Sequence, residues 1–183
     1  MKIVLIGHGM VGHKFVESLA ETGNTGVEVT APCEEPRPAY DRVHLSEFFS
    51  GKSAAELSLV EPGFFERTGF SLRLATRAAS IDRRTNTVTT HDGEVVPYDK
   101  LVLATGSNPF VPQVPGRARP HCFVYRTIED LEAMQAAGAK ARSGVVIGGG
   151  LLGLECAKAL RDMGLETHVV EFAPRLMAVQ VDE

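Results

Sequence analysis

Apolar residues gather along this chain in short blocks, and the period inside each block separates strands from helices. Residues 2–6 (KIVLI) form a short apolar run, the pattern of a parallel strand buried on both faces. Helical spacing follows, with Val11, Phe15, Val16 and Leu19 on one stripe that ends near Gly23. Residues 27–31 predict a second strand. Residues 34–62 hold no period and are rich in Pro and charge, with short helices expected after Asp41 and after Ser53. A β-rich stretch covers 71–104, where His91-Asp92-Gly93 marks a hairpin turn between runs of Thr and Val. KLVLATG (100–106) is a further buried strand that ends in glycine.

The segment NPFVPQVPG (108–116) carries three prolines and one glycine and reads as a linker. A helix is predicted from Thr127 to Gly138, with Thr127 as N-cap and Asp130 three residues later. A strand at 144–148, a helix from Leu151 to Met163 and a strand at 166–171 then repeat the opening pattern. The fold class is therefore α/β, with two strand–helix–strand units. One such unit cannot bury both faces of its sheet alone, so the second is expected to be truncated.

Composition narrows the function classes. The 183 residues are 44% apolar and 23% charged, ordinary for a globular chain, and can bury a substantial core. A formal net charge of −4 argues against a nucleic-acid partner, which usually demands a basic face. No run approaches the ~20 apolar residues of a membrane span, so no membrane role is expected. The opening MKIVLIGHGMVG is interrupted by glycines and His8 and lacks a small-residue cleavage site, so it reads as a strand and not as a signal peptide. Cys33, Cys122 and Cys156 are isolated, which suits a reducing cytoplasm and offers neither a disulfide framework nor a metal cluster. Each reads as a small apolar filler.

The chemistry lies in two glycine clusters. Gly7-His8-Gly9-Met10-Val11-Gly12 is a G-x-G-x-x-G placed directly after a strand and opening a helix. In such a motif the first glycine permits the tight turn and the second lets backbone approach a pyrophosphate. The third allows close helix–strand packing, while free amides at the helix N-terminus attract phosphate. The next strand runs into Cys33-Glu34-Glu35, so Glu34 lies 22 residues beyond Gly12, where a carboxylate accepts ribose hydroxyls. Glu35 is the weaker choice, since it points to the other side of an extended chain. Gly148-Gly149-Gly150-Leu151-Leu152-Gly153 is an independent second match, followed by a strand ending at Glu171, 18 residues past Gly153. That acid favours a free 2′-hydroxyl, so NADH is preferred over NADPH, although Arg175 stays open as a phosphate partner. Two such sites in one chain imply two different dinucleotides exchanging electrons.

The order GxGxxG, EEPxxxYDR, β-meander, LVLATG, Pro-rich linker and GGGxxGLE resembles the two-dinucleotide flavoprotein reductases, the ferredoxin and rubredoxin reductases among them. AYDRVHLS with Phe48-Phe49, AELSLV (55–60), CFVYRTIEDL (122–131) and ETHVVEFAPRLMA (166–178) resemble one branch, the large subunits of assimilatory NAD(P)H-dependent nitrite reductases. The resemblance implies a three-layer ββα FAD/NAD(P)-binding, Rossmann-like fold, with an FAD-binding domain at 1–113 and the beginning of an NAD(P)H-binding domain at 114–183. It implies FAD pyrophosphate against Gly7, Gly9, Met10, Val11 and Gly12, with its ribose on Glu34. Arg42 would stand near the phosphates or adenine, and Ala78 would give backbone contacts to adenine. Ala104, Thr105 and Gly106 would line the phosphates, and Arg126 would approach the flavin. NADH would lie on Gly148, Gly150, Leu151, Leu152, Gly153 and Glu171, and Glu155 matches a carboxylate near the meeting of nicotinamide and flavin.

The resemblance further implies hydride transfer from NADH to FAD. Electrons then pass to siroheme and iron–sulfur centres held downstream or to a small subunit. One departure in the residues qualifies it, and one absence excludes a cousin of the same fold. Many simpler reductases carry Leu-Ser-Lys where this chain has Leu45-Ser46-Glu47, so their Lys partner for Glu155 is missing. Disulfide reductases of this fold carry CxxxxC soon after the first acid, and residues 36–60 hold no cysteine. No side chain is needed as a general acid or base, and His8, His13 and His44 read as turn or surface histidines. A stand-alone ferredoxin- or rubredoxin-type reductase and a non-catalytic flavin-binding module are the alternative readings.

Overall fold

A computed structural model describes residues 1–23 and 26–178, so the last five residues of the expected second domain lie outside the described residues. The chain divides into two compact units, Met1–Asp41 with Ser58–Ser107, and Arg42–Leu57 with Asn108–Glu183.

In the first unit, β1 (Lys2–Ile6), β2 (Glu28–Pro32), β3 (Ser71–Arg73) and β7 (Lys100–Leu103) form a parallel sheet ordered β3-β2-β1-β7. Side chains alternate across a strand, and β1 shows why its run is apolar throughout. Ile3 and Leu5 face a core with Val16, Val29, Ala31 and Phe64, while Val4 and Ile6 face Val88 and Val96. The first core is covered by helices α1 (Met10–Glu21) and α2 (Phe64–Thr68). The second is covered by an antiparallel meander of β4 (Ala78–Asp82), β5 (Thr87–Thr90) and β6 (Val95–Pro97). Helix, parallel sheet and antiparallel sheet are the three layers expected.

Most differences from expectation are local. The stripe on α1 holds at Phe15, Val16 and Leu19, but Val11 is 75% exposed, and the buried positions of its turn are Gly12 and His13 instead. Helix α2 was not anticipated. It is one short helix bracketed by Gly63 and Gly69, both left-handed, and it drives Phe64 into the core. The helix expected after Ser53 is a single turn at 54–57, closed by Glu56 on the Ser53 hydroxyl and amide. That after Asp41 is a 3-10 helix, Leu45–Ser50.

In the second unit, α3 (Ile128–Gly138) begins in a full capping box between Thr127 and Asp130, as its sequence predicted. Strand β8 (Ser143–Ile147), α4 (Leu151–Asp162) and β9 (Glu166–Val170) make a parallel β–α–β unit. Its core gathers Met134, Val146, Cys156, Leu160 and Leu165, with Phe49 of the 3-10 helix and Tyr125 packed against it. Val145, Ile147 and Val170 sit on the opposite face of β8 and β9 and are exposed.

Candidate dinucleotide-binding sites

Both glycine turns are built from the same constraints. Gly7 leaves β1 at φ +96° and Gly148 leaves β8 at φ +114°, a backbone that side-chain-bearing residues avoid. Each first glycine donates its N–H to the end of the neighbouring strand, Gly7 to Pro32 O and Gly148 to Val170 O, both at 2.9 Å. Each third glycine is pressed on the first. A Cβ on Gly12 would stand 2.4 Å from Gly7 O, and one on Gly153 would stand 1.9 Å from Gly148 O. The middle glycines are the opposite case, since a Cβ on Gly9 or Gly150 would meet no atom within 4 Å. That open space faces the start of a helix.

The helices themselves are prepared for an anion. Gly9 and Gly150 cap α1 and α4 with no side-chain hydrogen bond, and neither first turn contains an acid. The unpaired N–H groups and the positive end of each helix dipole are therefore available to phosphate. Helix α3 is the internal control: its N-terminus is already satisfied by Thr127 and carries Glu129 and Asp130. Around the first turn, Ala104 and Thr105 close in from the end of β7, with Ala104 O 2.4 Å from a Cβ built on Gly7. The structure thus brings Gly7, Gly12, Ala104 and Thr105 together. Gly106 follows at φ +69°, exposed, and Ala78 opens β4 half-buried. Met10 is half-buried, and Leu151 and Leu152 of the second turn are exposed like Val11.

The two acids behave differently. Glu34 is exposed, with Arg77 Nε 4.0 Å away, while neighbouring Glu35 accepts the Tyr40 hydroxyl at 2.8 Å. Glu171 is tied to its own turn. One carboxylate oxygen accepts the Gly149 N–H, and the other accepts the Ala173 N–H at 2.7 Å. These two bonds, Ala173 first, hold its pKa below the usual carboxylate value. Ionised, it keeps lone pairs free for ribose hydroxyls.

Arg42 and Arg126 stand together in the second unit, where Arg42 Nη1 donates to Arg126 O at 2.8 Å. Glu155 is half-buried on α4. Beside it lies Tyr125, a residue the sequence did not single out; burial, and then the charge of Glu155, push its phenol up to about 12. Phe49 stacks on Tyr125 with ring centroids 6.4 Å apart. The one available signal was FVYRT, a Tyr between an apolar pair and a helix cap.

Three expectations are corrected. His8 and His13 are not surface histidines: they are 2% and 5% exposed and lie within an aromatic group with Phe64 and Phe65. Cys122 is exposed and is not an apolar filler, whereas Cys33 and Cys156 are buried. Burial pushes the Cys156 thiol up to about 11, which leaves it unreactive.

Residues 1–183 match the pyridine nucleotide-disulphide oxidoreductase family, and the chain belongs to it. Among curated relatives it is 58% identical to the nitrite reductase [NAD(P)H] large subunit of Klebsiella oxytoca over 98% of this chain and 19% of that protein. It is 50% identical to the nitrite reductase (NADH) large subunit of Escherichia coli, over 100% of this chain and 22% of the relative. The chain thus spans about a fifth of the length of the curated relatives it matches. Among solved structures, a ferredoxin reductase from Rhodopseudomonas palustris aligns with TM-score 0.87 and 30% identity, covering 97% of this chain and 44% of that one. An NAD-dependent persulfide reductase from A. fulgidus aligns with TM-score 0.88 and 26% identity, covering 100% and 36%. No helix among the described residues is long and apolar enough to cross a membrane.

Proposed function

We propose that this chain is the FAD- and NADH-binding module of an assimilatory NAD(P)H-dependent nitrite reductase, with residues 1–113 holding FAD and 114–183 opening the NADH domain. The observation that carries the reading is the pair of uncapped helix N-termini, each beneath a glycine with open space at its Cβ. The identities of 58% and 50% to nitrite reductase large subunits support the choice of branch.

When bound, FAD supplies a two-electron acceptor for the hydride of NADH and can release electrons singly. The chain's own work is binding and orientation. The amides after Gly9 receive the FAD pyrophosphate, Glu34 accepts its ribose, and Ala104, Thr105 and Gly106 border the phosphates. The amides after Gly150 receive the NADH pyrophosphate. Glu171, fixed by the Gly149 and Ala173 N–H groups, accepts the adenosine ribose and repels a 2′-phosphate. Glu155, with Tyr125 beside it, sets the electrostatics near the nicotinamide. Arg42 is assigned to the phosphates or adenine of FAD and Arg126 to its flavin. Siroheme and iron–sulfur clusters belong to other parts of the whole enzyme or a partner such as its small subunit, in the cytoplasm. Cys33, Cys122 and Cys156 are too scattered to supply four thiolates.

Titration with FAD and then NADH tests the reading. Binding of FAD followed by anaerobic bleaching of its visible band by NADH supports it, and an absence of FAD binding in the whole enzyme overturns it.

A further inference from the structure

The segment that follows β9 is tied to the second glycine turn from both sides of one residue. Glu171 accepts the Gly149 and Ala173 N–H groups, and Met177 returns its N–H to Gly149 O at 2.9 Å from a left-handed backbone at φ +51°. Leu176 covers the same glycine, since a Cβ built there would stand 2.5 Å from it. Pro174, with its fixed φ, removes further freedom between these ties. Residues 171–177 are therefore a loop whose backbone is set before any ligand arrives. Phe172 sits in that loop directly after the acid, and its side chain is fully exposed. No other phenylalanine among the described residues is as exposed. It has apolar company, because Val170, its register partner Ile147 and Leu176 are exposed as well. Large apolar side chains left in water forgo the stabilisation of burial, and several of them beside a ligand turn point to something that covers them.

We propose that Phe172 is the platform on which the adenine of NADH stacks, which rests on the reading of the second turn given under Proposed function. Adenine is bonded directly to the ribose that Glu171 accepts, so the base leaves the sugar beside the residue that follows the acid. A purine is flat, uncharged and polarisable, and its faces call for an aromatic plane and not for a charge. Phe172 offers that plane, with Val170 and Leu176 as apolar neighbours in the chain. The loop is already fixed and a phenylalanine has only two side-chain torsions, so little has to be ordered when the base arrives. The first unit is built otherwise: the residue after Glu34 is Glu35, which accepts the Tyr40 hydroxyl at 2.8 Å, and no aromatic ring follows that acid. Labour at the second site is thus divided. Phe172 holds the base, which NADH and NADPH share, while Glu171 reads the 2′ position, where they differ.

Phe172→Ala and Phe172→Trp in the whole enzyme test the stack with three probes: NADH, ADP-ribose, which lacks the nicotinamide, and reduced nicotinamide mononucleotide, which lacks the adenosine. In Phe172→Ala, calorimetry should find ADP-ribose bound about tenfold more weakly, and the KM for NADH should rise by a similar factor with the loss falling on KM and not on kcat. NADPH should weaken by the same factor as NADH, and the mononucleotide should be unaffected. Phe172→Trp, which keeps an aromatic plane, should stay within about twofold of the unaltered enzyme for every probe. Unchanged ADP-ribose binding in Phe172→Ala overturns the proposal and assigns the exposed ring to packing against another part of the enzyme. An equal loss for the mononucleotide overturns it too, since the loop and not the stack would then have changed. If the unaltered enzyme binds neither NADH nor ADP-ribose, the reading of the second turn falls and the platform with it. If it binds both and Phe172→Ala alters neither, the platform alone falls.

Discussion

The two glycine turns share a backbone and differ in what fills their second position. In the first, His8 reaches inward and accepts a backbone N–H from Ala39, beyond the first acid. In the second, Gly149 offers its own N–H to Glu171, the acid itself. A Cβ on Gly149 would approach Leu176 to 2.5 Å and Glu171 to 3.1 Å, so a side chain there would have to displace Leu176 and crowd the acid. Both positions tie the turn to the segment that follows the next strand, one by a side chain and one by the main chain. The consequence is that Glu171 is oriented by its turn before any ligand arrives, while Glu34 stands free of it. The first turn gains its rigidity from the core beneath it, and the second from its acid.

The sharpest way to break the comparison is at the third glycines. Their Cβ atoms would strike carbonyl oxygens, which cannot swing aside as a side chain would. Gly12→Ala and Gly153→Ala are each expected to destabilise their own unit by roughly 3 kcal/mol, the upper part of the overpacking range. The closer contact, 1.9 Å against 2.4 Å, makes Gly153→Ala the worse of the two. Denaturant melts of the variants check this, and unchanged stability would show that the turns are looser than described.

Acidification separates the units next. His8 titrates near 4 in the fold and near 6.5 when unfolded. Between those values the unfolded chain binds a proton that the folded chain refuses. Its contribution is therefore complete above about pH 6.5 and is lost as pH falls towards 4, by roughly 3 kcal/mol. Gly149 has nothing to titrate. Melts at pH 7 and pH 4.5 for the chain and for His8→Asn should show a smaller pH loss in the variant, and an equal loss would refute the assignment to His8.

At the middle glycines the effect moves from stability to ligand. Gly9→Ala and Gly150→Ala meet open space at φ −87° and −78°, so stability should change by no more than about 0.5 kcal/mol. A methyl group in the path of a pyrophosphate should weaken FAD at least about tenfold in the first case and NADH likewise in the second. Crossed effects, with Gly9→Ala weakening NADH alone, would reverse the order of the two sites.

What the sequence made legible was what repeats or what backbone geometry demands. KIVLI could only be a strand buried twice, and the two glycine motifs needed only their flanking strand and helix to be placed. The Thr127–Asp130 box announced α3 because both halves of the cap lie in one turn. The buried histidines were not legible, because a His beside glycines has the same local pattern whether it faces water or a core. Only the Phe64-Phe65 pair, about fifty residues later in sequence and brought in by α2, decides it. Tyr125 and the Arg42–Arg126 contact were hidden for the same reason, since their partners come from separate segments of the second unit.

The smallest effects, and the finest test of the comparison, concern the two acids. Glu171 is oriented by two backbone N–H groups, so removing it deprives NADH of a prepared acceptor. Glu171→Ala should weaken NADH ten- to a hundredfold, with a smaller loss or even a gain for NADPH, because the charge repelling a 2′-phosphate goes with it. Glu34 has no such support. Its contact with Arg77 is long and exposed, and pairs of that kind contribute little, so Glu34→Gln should leave stability within about 0.5 kcal/mol. A glutamine oxygen still accepts a ribose hydroxyl, and an acid that must be immobilised on binding contributes less than one already held. FAD affinity should therefore fall by less than about tenfold, below the loss at Glu171. Parallel titrations of the two variants with FAD and NADH decide the matter. A larger loss at Glu34 than at Glu171 would mean that orientation by the turn is not what gives the second acid its strength.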